Sequence, residues 1–171
     1  VRGPKLLRLA GEVADGAIIS GSKTYISKAV EIVKKALQES ENPNRSFNLT
    51  LWIPTIPFTG RYSPSPARRI VARIISDTSD DVLKMAELDP VLASEVRSTY
   101  NRAGAAKASE LISEELVQEF TIAGNLSEIY ETYRSFEADG FERIILGPPV
   151  GSNWNDTVRK VLERWQGSNS D

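Results

Sequence analysis

The sequence predicts an α/β fold in which short, buried, parallel strands alternate with amphipathic helices. One unit occurs twice: a helix, an Asp-Gly pair, a short apolar strand and a small or glycine residue, first around Asp15-Gly16 and again around Asp139-Gly140. Such an internal repeat is typical of a fold built from βα units. A third strand, with alternating apolar residues, follows Phe47. We therefore expect three parallel strands, near residues 16–20, 46–53 and 142–147.

The first helix begins in a glycine turn, Gly3-Pro4-Lys5. Proline suits the first helical position, where its missing N–H costs nothing. Apolar residues then recur at helical spacing and predict one buried face: Leu6, Leu9, Ala10 and Val13. A glycine turn that opens a helix directs several N–H groups to one place, where the helix dipole adds positive potential. An ordinary helix start is the commoner explanation, and a phosphate site is the alternative.

The remaining elements follow from the same patterns. A helix is expected from about Lys23 to Glu39, and Pro54 and Pro57 are expected to end the strand after Phe47. Residues 59–119 lack a strand signal and hold several helix starts, so we expect an all-helical insertion. Two helices follow it, with these apolar stripes: Ile129, Tyr130, Tyr133 and Phe136 up to about Ala138, and Val158, Val161, Leu162 and Trp165 over Asp156 to Trp165.

The composition argues against several classes of function. The 21 basic and 23 acidic residues give a net charge of −2, which offers no electrostatic reason to expect nucleic acid or an anionic membrane as a partner. There is no cysteine and no histidine, so Ser-His-Asp and Cys-His triads and the usual zinc ligands are absent. No apolar run approaches the roughly 18 residues of a membrane span, and no signal peptide is visible. We expect a cytoplasmic protein without a metal site.

Three motifs together carry a resemblance to a known family. The opening stretch combines Gly3-Pro4-Lys5 with Leu9-Ala10-Gly11-Glu12-Val13-Ala14-Asp15-Gly16 and a short apolar strand. The later motifs are Phe120-Thr121-Ile122-Ala123-Gly124-Asn125-Leu126-Ser127-Glu128-Ile129 and Asp139-Gly140-Phe141-Glu142-Arg143-Ile144-Ile145-Leu146-Gly147-Pro148-Pro149. In this order and spacing they resemble the luciferase-like oxidoreductases. Within that family they are most similar to the branch of methylenetetrahydromethanopterin reductases, which uses the deazaflavin coenzyme F-420.

The resemblance implies a particular fold and extent. It implies a partial TIM (β/α)8 barrel in which residues 1–171 supply the last three strands and residues 59–119 form a helical insertion. A complete barrel takes about 250 residues, and the first five strands, with most substrate contacts, are missing from the match. We expect the chain to begin inside a longer protein or after processing. Three strands cannot close a barrel, and they leave two open edges.

The resemblance also implies site residues. In the family the helix start after the fifth strand helps hold the cofactor phosphate, which implicates Gly3, Pro4 and Lys5, and the loop after the sixth strand packs against the cofactor, here Ser20 and Gly21. Ligands of parallel α/β folds bind at the carboxyl ends of strands, which adds Gly147 and Pro148, although this pair fits a rigid strand exit equally well. No catalytic residue is assigned.

Three functions are compatible with these observations. The first is part of an oxidoreductase that transfers hydride through coenzyme F-420 to or from a small carbon substrate such as a methylene-pterin. The second is an FMN-dependent luciferase-like monooxygenase. The third is a non-catalytic half-barrel that acts as a structural or assembly module. Because half of the barrel is missing, we expect the chain alone to bind its cofactor weakly or not at all.

Two groups of side chains bear on partners. The missing strands would expose the apolar inner faces of Ile18, Ile144 and Leu146, so we expect a homo-oligomer or a partner chain that supplies the amino-terminal half-barrel. The alternative is that the insertion helices cover the open side. Arg68, Arg69 and Arg73 form a basic cluster that favours a solvated helix face over contact with an anionic coenzyme tail or partner. The three tryptophans are expected in the core or an interface: Trp52, Trp154 and Trp165.

Overall fold

The computed structural model describes residues 1–57, 65–148 and 154–168. The elements are α1 (Pro4–Val13), β1 (Gly16–Ile19), α2 (Lys23–Gln38), β2 (Asn48–Pro57), α3 (Ser65–Asp77), α4 (Asp80–Met85), α5 (Pro90–Ala108), a 3-10 turn (Ser109–Leu111), α6 (Glu114–Phe120), β3 (Ile122–Gly124), α7 (Leu126–Ala138), β4 (Arg143–Gly147) and α8 (Trp154–Ser168). The predicted α/β order is confirmed. Pro149, the loop before α3 and the side chains of Trp154 and Trp165 lie outside what is described.

All described strands pair in parallel, and each of the other three pairs with β2. Ile18 of β1 is opposite Thr50, and Ile145 of β4 is opposite Trp52. The short β3 pairs with the end of β2, where Thr55 is opposite Ile122. The three predicted strands are confirmed. The sequence interpretation missed β3, because a three-residue strand directly after a helix is too short to show a period of two.

The prediction that Pro54 ends the second strand is wrong, whereas Pro57 is the last residue of the strand. Strand β2 continues through Pro54 to Pro57. The reason lies in its neighbours: β1 pairs with β2 only as far as Leu51, so β2 lacks a β1 partner beyond that residue. A strand accepts proline where its edge has no hydrogen-bonded neighbour.

The two faces of the sheet differ in exposure. The register places Ile18, Thr50, Trp52 and Ile145 on one face, where Ile18 is 52% and Ile145 is 40% exposed. The opposite face packs against the helices and contains Ile19, Leu49, Leu51, Ile53, Ile144 and Leu146. The prediction for Ile18 is therefore confirmed. The assignment of Ile144 and Leu146 to the inner face is wrong by one residue, since neighbouring residues of a strand point to opposite faces.

The described part of the insertion, from α3 to α6, is entirely helical. It is fastened to the sheet region by Glu119 of α6, whose Oε1 accepts a hydrogen bond of 2.7 Å from the Thr24 N–H in the first turn of α2. A carboxylate at a helix N-terminus satisfies a free N–H and interacts favourably with the helix dipole. Ile18 and Ile145 remain exposed, so the described helices leave the part of this sheet face that holds these two residues uncovered.

Helices α1 and α2 approach each other closely at Gly11. A Cβ atom at this position would lie 2.5 Å from the Val33 carbonyl oxygen and 2.7 Å from the Ala36 Cβ. The buried residues of α1 are therefore Leu7, Ala10 and Gly11. The predicted stripe is wrong except for Ala10: Leu6, Leu9 and Val13 are exposed by 54%, 49% and 72%. In α8, Val161 is buried as predicted, but Leu162 is exposed.

Gly11→Ala is expected to destabilise the chain. Alanine gains about 1 kcal/mol of helix propensity over glycine, but forcing a methyl group into a packed contact costs about 1–3 kcal/mol, and here it meets backbone. Urea unfolding should give a lower midpoint for the variant. Arg8→Ala, on the exposed side of the same helix, is the control and should leave the midpoint nearly unchanged. A variant as stable as the parent would contradict this helix contact.

Candidate functional site

The turn that opens α1 has the conformation that its glycine predicts. Gly3 has φ +82°, a value that side chains other than glycine rarely adopt. Its carbonyl accepts the first helical hydrogen bond from Leu7, and Pro4 occupies the first turn. The helix has no side-chain cap and no acidic residue in its first turn. Its positive end is therefore not neutralised by a side chain of its own.

Tyr25 of α2 joins two of the predicted site glycines. Its hydroxyl accepts a hydrogen bond of 3.2 Å from the Gly3 N–H. Its ring lies against Gly21, where a Cβ atom would come within 2.5 Å of Cδ1. Ser22 caps α2 by accepting a hydrogen bond of 3.0 Å from the Tyr25 N–H. Burial raises the pKa of the Tyr25 phenol, although the Gly3 hydrogen bond and the nearby Arg2 act in the opposite direction.

Arg2 connects the same turn to the end of β1. Its Nε and Nη2 atoms each lie 3.4 Å from the Ser20 Oγ. The amino group of Val1 donates to the Ile18 carbonyl, so this segment runs beside β1. Gly3, Ser20 and Gly21 therefore lie close together, as the sequence predicts for a helix start next to a strand end.

The strand-end residues of β4 lie across the sheet from this turn. Gly147 is opposite Pro54 of β2, and its Cβ would come within 2.5 Å of the Ile53 carbonyl oxygen. Close packing of β4 on β2 therefore explains the glycine. Pro148 is exposed and shares a cavity of about 450 Å³ with Arg2 and the end of β2. The structure thus brings Arg2 and Pro148 to one cavity at the carboxyl ends of the strands.

Pro4 and Lys5 line a different groove. It is a space of about 490 Å³ between α1 and Ile32 of α2, and Arg8 and Glu12 also line it. Of the predicted site residues, only Pro148 is in the lining of the strand-end cavity, while Gly3, Ser20 and Gly21 surround Tyr25. The predicted residues thus fall into neighbouring groups around the start of α1.

The sequence interpretation did not select four residues that line or hold this region. Tyr25 gave no signal because one tyrosine in an amphipathic helix resembles a core residue. Arg2 precedes the glycine turn and was not singled out. Trp52 and Arg73 line the cavity. The sequence favours a core or interface position for Trp52 and a solvated helix face for Arg73. Two signals were available: the position of Trp52 on the strand face opposite Leu51 and Ile53, and the basic cluster to which Arg73 belongs.

The described residues also bear on other types of site. No group of three or more aspartate, glutamate, histidine or cysteine residues is arranged there to hold a metal ion. Nor does any helix within those ranges have the length and apolar character needed to cross a membrane.

Comparison with known proteins decides the family. The sequence profile described as luciferase-like monooxygenase matches residues 1–143. The chain belongs to this family. Curated relatives include two proteins named 5,10-methylenetetrahydromethanopterin reductase. The one from Methanolobus tindarius is 23% identical over 94% of this chain, and the one from Archaeoglobus fulgidus is 24% identical over 94%. In each case the match spans 50% of the relative, so this chain covers about half the length of these curated proteins.

A solved structure confirms the fold of this family member. The coenzyme F-420 dependent tetrahydromethanopterin reductase from Methanopyrus kandleri superposes with a TM-score of 0.75 at 21% sequence identity. The match covers 94% of this chain and 47% of that protein. The predicted fold class, a partial (β/α)8 barrel with a helical insertion, is therefore confirmed.

Tyr25→Phe is expected to weaken the turn and to change the response to alkaline pH. The Gly3 N–H loses its acceptor, which costs about 1 kcal/mol. Because the folded chain raises the pKa of this phenol, the unfolded chain loses the proton first as pH rises. The phenol's contribution is therefore complete below about pH 10, the ordinary tyrosine pKa, and is lost as pH rises through the folded pKa.

Urea unfolding at pH 8 and pH 11 measures both effects. The parent should lose more stability between these pH values than Tyr25→Phe does. Tyr133→Phe is the parallel control, because its hydroxyl is hydrogen-bonded to Thr55 and burial also raises its pKa. Tyr133→Phe should also reduce the loss of stability between pH 8 and pH 11. In NMR spectra it should leave the amide resonance of Gly3 unshifted, because its hydroxyl does not contact Gly3. An identical loss of stability in the parent and Tyr25→Phe would rule out this role for Tyr25.

Proposed function

We propose that the chain is the carboxyl-terminal half of a luciferase-like oxidoreductase that transfers hydride through coenzyme F-420. The substrate class is a small carbon compound such as a methylene-pterin. The observation that supports this most is the cavity at the carboxyl ends of β2 and β4, next to the start of α1. This is where parallel α/β barrels bind their ligands. The names of the curated relatives support the same substrate class, and the name of the Methanopyrus kandleri protein supports the same cofactor.

The donor set of this region suits the anionic part of such a cofactor. The start of α1 has no acidic residue in its first turn and carries Lys5 on its exposed surface, and Arg2 precedes it. A Cβ at Gly3 would meet no atom within 4 Å, so a ligand has open access to this turn. Free N–H groups, a positive helix end and two cations favour a phosphate group.

In this proposal the chain binds and orients the cofactor, and the cofactor supplies the reaction. A bound deazaflavin supplies a two-electron hydride carrier. Gly3, Pro4 and Lys5 hold its phosphate, and Ser20 and Gly21 contact it from the end of β1. Gly147 and Pro148 form the opposite boundary at the end of β4. Residues 59–119 are assigned to the helical insertion beside this site.

Titration with the oxidised cofactor tests the proposal. Coenzyme F-420 added to the purified chain should change in absorbance and fluorescence on binding, and FMN titrated in parallel should bind more weakly. Preferred binding of FMN would favour the monooxygenase alternative. No binding of either compound, in the chain alone and in the complex with an amino-terminal half-barrel, would favour the non-catalytic module.

Inorganic phosphate tests the start of α1 directly. Phosphate titrated into the ¹⁵N-labelled chain should shift the backbone amides of Lys5 and Leu6, because these N–H groups lie at the open end of the helix. Lys5→Gln should weaken this shift severalfold, in the range expected for one exposed charge pair. Lys35→Gln is the control, because Lys35 is 70% exposed and lies in the last turn of α2. Shifts elsewhere that leave these two amides unmoved would exclude a phosphate site here.

The same proposal requires a partner for the open sheet, and an amino-terminal half-barrel fits it. Within the described residues, β1 and β4 each pair only with β2. Ile18, Ile145 and three residues of α1, Leu6, Leu9 and Val13, are apolar and exposed. Unpaired strand edges beside exposed apolar groups favour association. The chain also spans only half of the relatives it matches.

Sedimentation of the purified chain at micromolar concentration measures this association. We expect species larger than 18.9 kDa, and Ile18→Glu should reduce their fraction because it places a charge on the sheet face. Val91→Glu is the matched control, because Val91 is equally apolar and 74% exposed but lies on the insertion. A dimer would indicate that a second copy takes the partner's place. A single 18.9 kDa species that binds no hydrophobic dye would contradict the proposal.

A further inference from the structure

The cavity at the strand ends is lined by both apolar and charged residues, and of these residues the proposed cofactor contacts include only Pro148. Its sheet side is formed by Trp52 and Pro54 on the open face of β2, together with Pro148. Its other side is α3, the first helix of the insertion, through the half-buried Ile70 and Ile74. The volume, about 450 Å³, lies in the range of roughly 300–1,000 Å³ that small-molecule sites occupy. The cavity therefore lies between the sheet and the insertion.

Three charged side chains line this cavity: Arg2, Arg73 and Asp77. The Arg73 Nε lies 3.6 Å from the Asp77 Oδ2, and the two side chains are 73% and 60% exposed. At this distance and exposure the ion pair contributes little. Arg2 reaches the Ser20 Oγ at 3.4 Å. Because a guanidinium has five N–H donors, both arginines keep donors for a ligand.

We propose that this cavity binds the anionic group of a flat organic ligand. Arg73 and Arg2 contact its carboxylate or phosphate oxygen atoms, and Trp52 packs against its ring. A guanidinium fork matches the geometry of carboxylate and phosphate, and an aromatic face favours stacking with a planar ring. The two cations outweigh the one carboxylate. This inference rests on the proposed function in one respect: it takes the ligand to be the cofactor or substrate of the same strand-end site.

The proposal gives the insertion a role in recognition. Arg73, Ile70 and Ile74 all belong to α3, so the insertion supplies part of the wall and one of the two cations. Asp77 lies one turn after Arg73 and opposes an anion. Substitutions that remove the charge of Arg73 and of Asp77 should therefore change the affinity for an anion in opposite directions.

Benzoate and benzamide are suitable probes, because they are flat, nearly identical in shape and differ in charge. Each is titrated into the ¹⁵N-labelled chain at millimolar concentration while the indole N–H resonance of Trp52 is followed. Comparison with Trp52→Phe assigns that resonance. Benzoate should shift it with about tenfold higher affinity than benzamide, the ratio expected for one charge-assisted hydrogen bond. Equal affinities would overturn the proposal.

Variants locate the charge that is responsible. Arg73→Gln should weaken benzoate about tenfold and leave benzamide unchanged, and Arg2→Gln should act in the same direction. Asp77→Asn should strengthen benzoate. Arg69→Gln is the control, because Arg69 lies exposed on the same helix and is not part of the lining. If Arg73→Gln and Arg2→Gln bind benzoate as the parent does, the proposal is wrong.

Adding coenzyme F-420 to the benzoate complex separates the two possible sources of the anion. Displacement of benzoate assigns the site to the anionic side chain of the cofactor, and binding without displacement assigns it to a substrate carboxylate. If F-420 does not bind while the Arg73 dependence of benzoate persists, the proposed cofactor fails and the anion site stands. If F-420 binds but benzoate binding does not depend on Arg73 or Arg2, the anion site fails and the proposed function stands.

Discussion

Parallel pairing with β2 is the constraint on which the rest of the structure depends. Each of the other described strands, β1, β3 and β4, pairs with β2, so the positions of the strand ends follow from its register. That register places Trp52 opposite Ile145 and Pro54 opposite Gly147. It also sends Leu51 and Ile53 into the core beneath the helices. One strand thus determines both the core and the open face on which the cavity lies.

The two faces of the sheet have different physical roles. Residues that face the helices are buried and hold the fold together by the hydrophobic effect. Those on the other face, such as Ile18 and Ile145, remain exposed by about half or slightly less, although they are apolar. In a closed barrel such residues fill the interior. The chain therefore combines a well-packed helical layer with an inner face that lacks a partner within the described residues.

The insertion is attached at two places that matter for the site. Glu119 caps the first turn of α2, beside the residues Ser20 and Gly21 that follow β1. Helix α3 lies over the ends of β2 and β4 through the cavity that contains Arg73. The insertion therefore lies next to both the start of α2 and the carboxyl ends of β2 and β4.

Sequence periodicity and turn residues determined the class of fold, the three main strands and most helix positions, because these depend on contacts between residues close in the chain. The motif order also identified the family. Tertiary structure alone decided which residues face the sheet's open side, as Ile144 and Ile145 show, since an apolar run has no period. It also decided that Leu6, Leu9 and Val13 stay exposed, because Gly11 brings α2 against the other side of α1. The hydrogen bond of Tyr25 with Gly3 and the cavity that Arg2 and Arg73 both line bring together residues far apart in sequence, and no local pattern indicates such proximity.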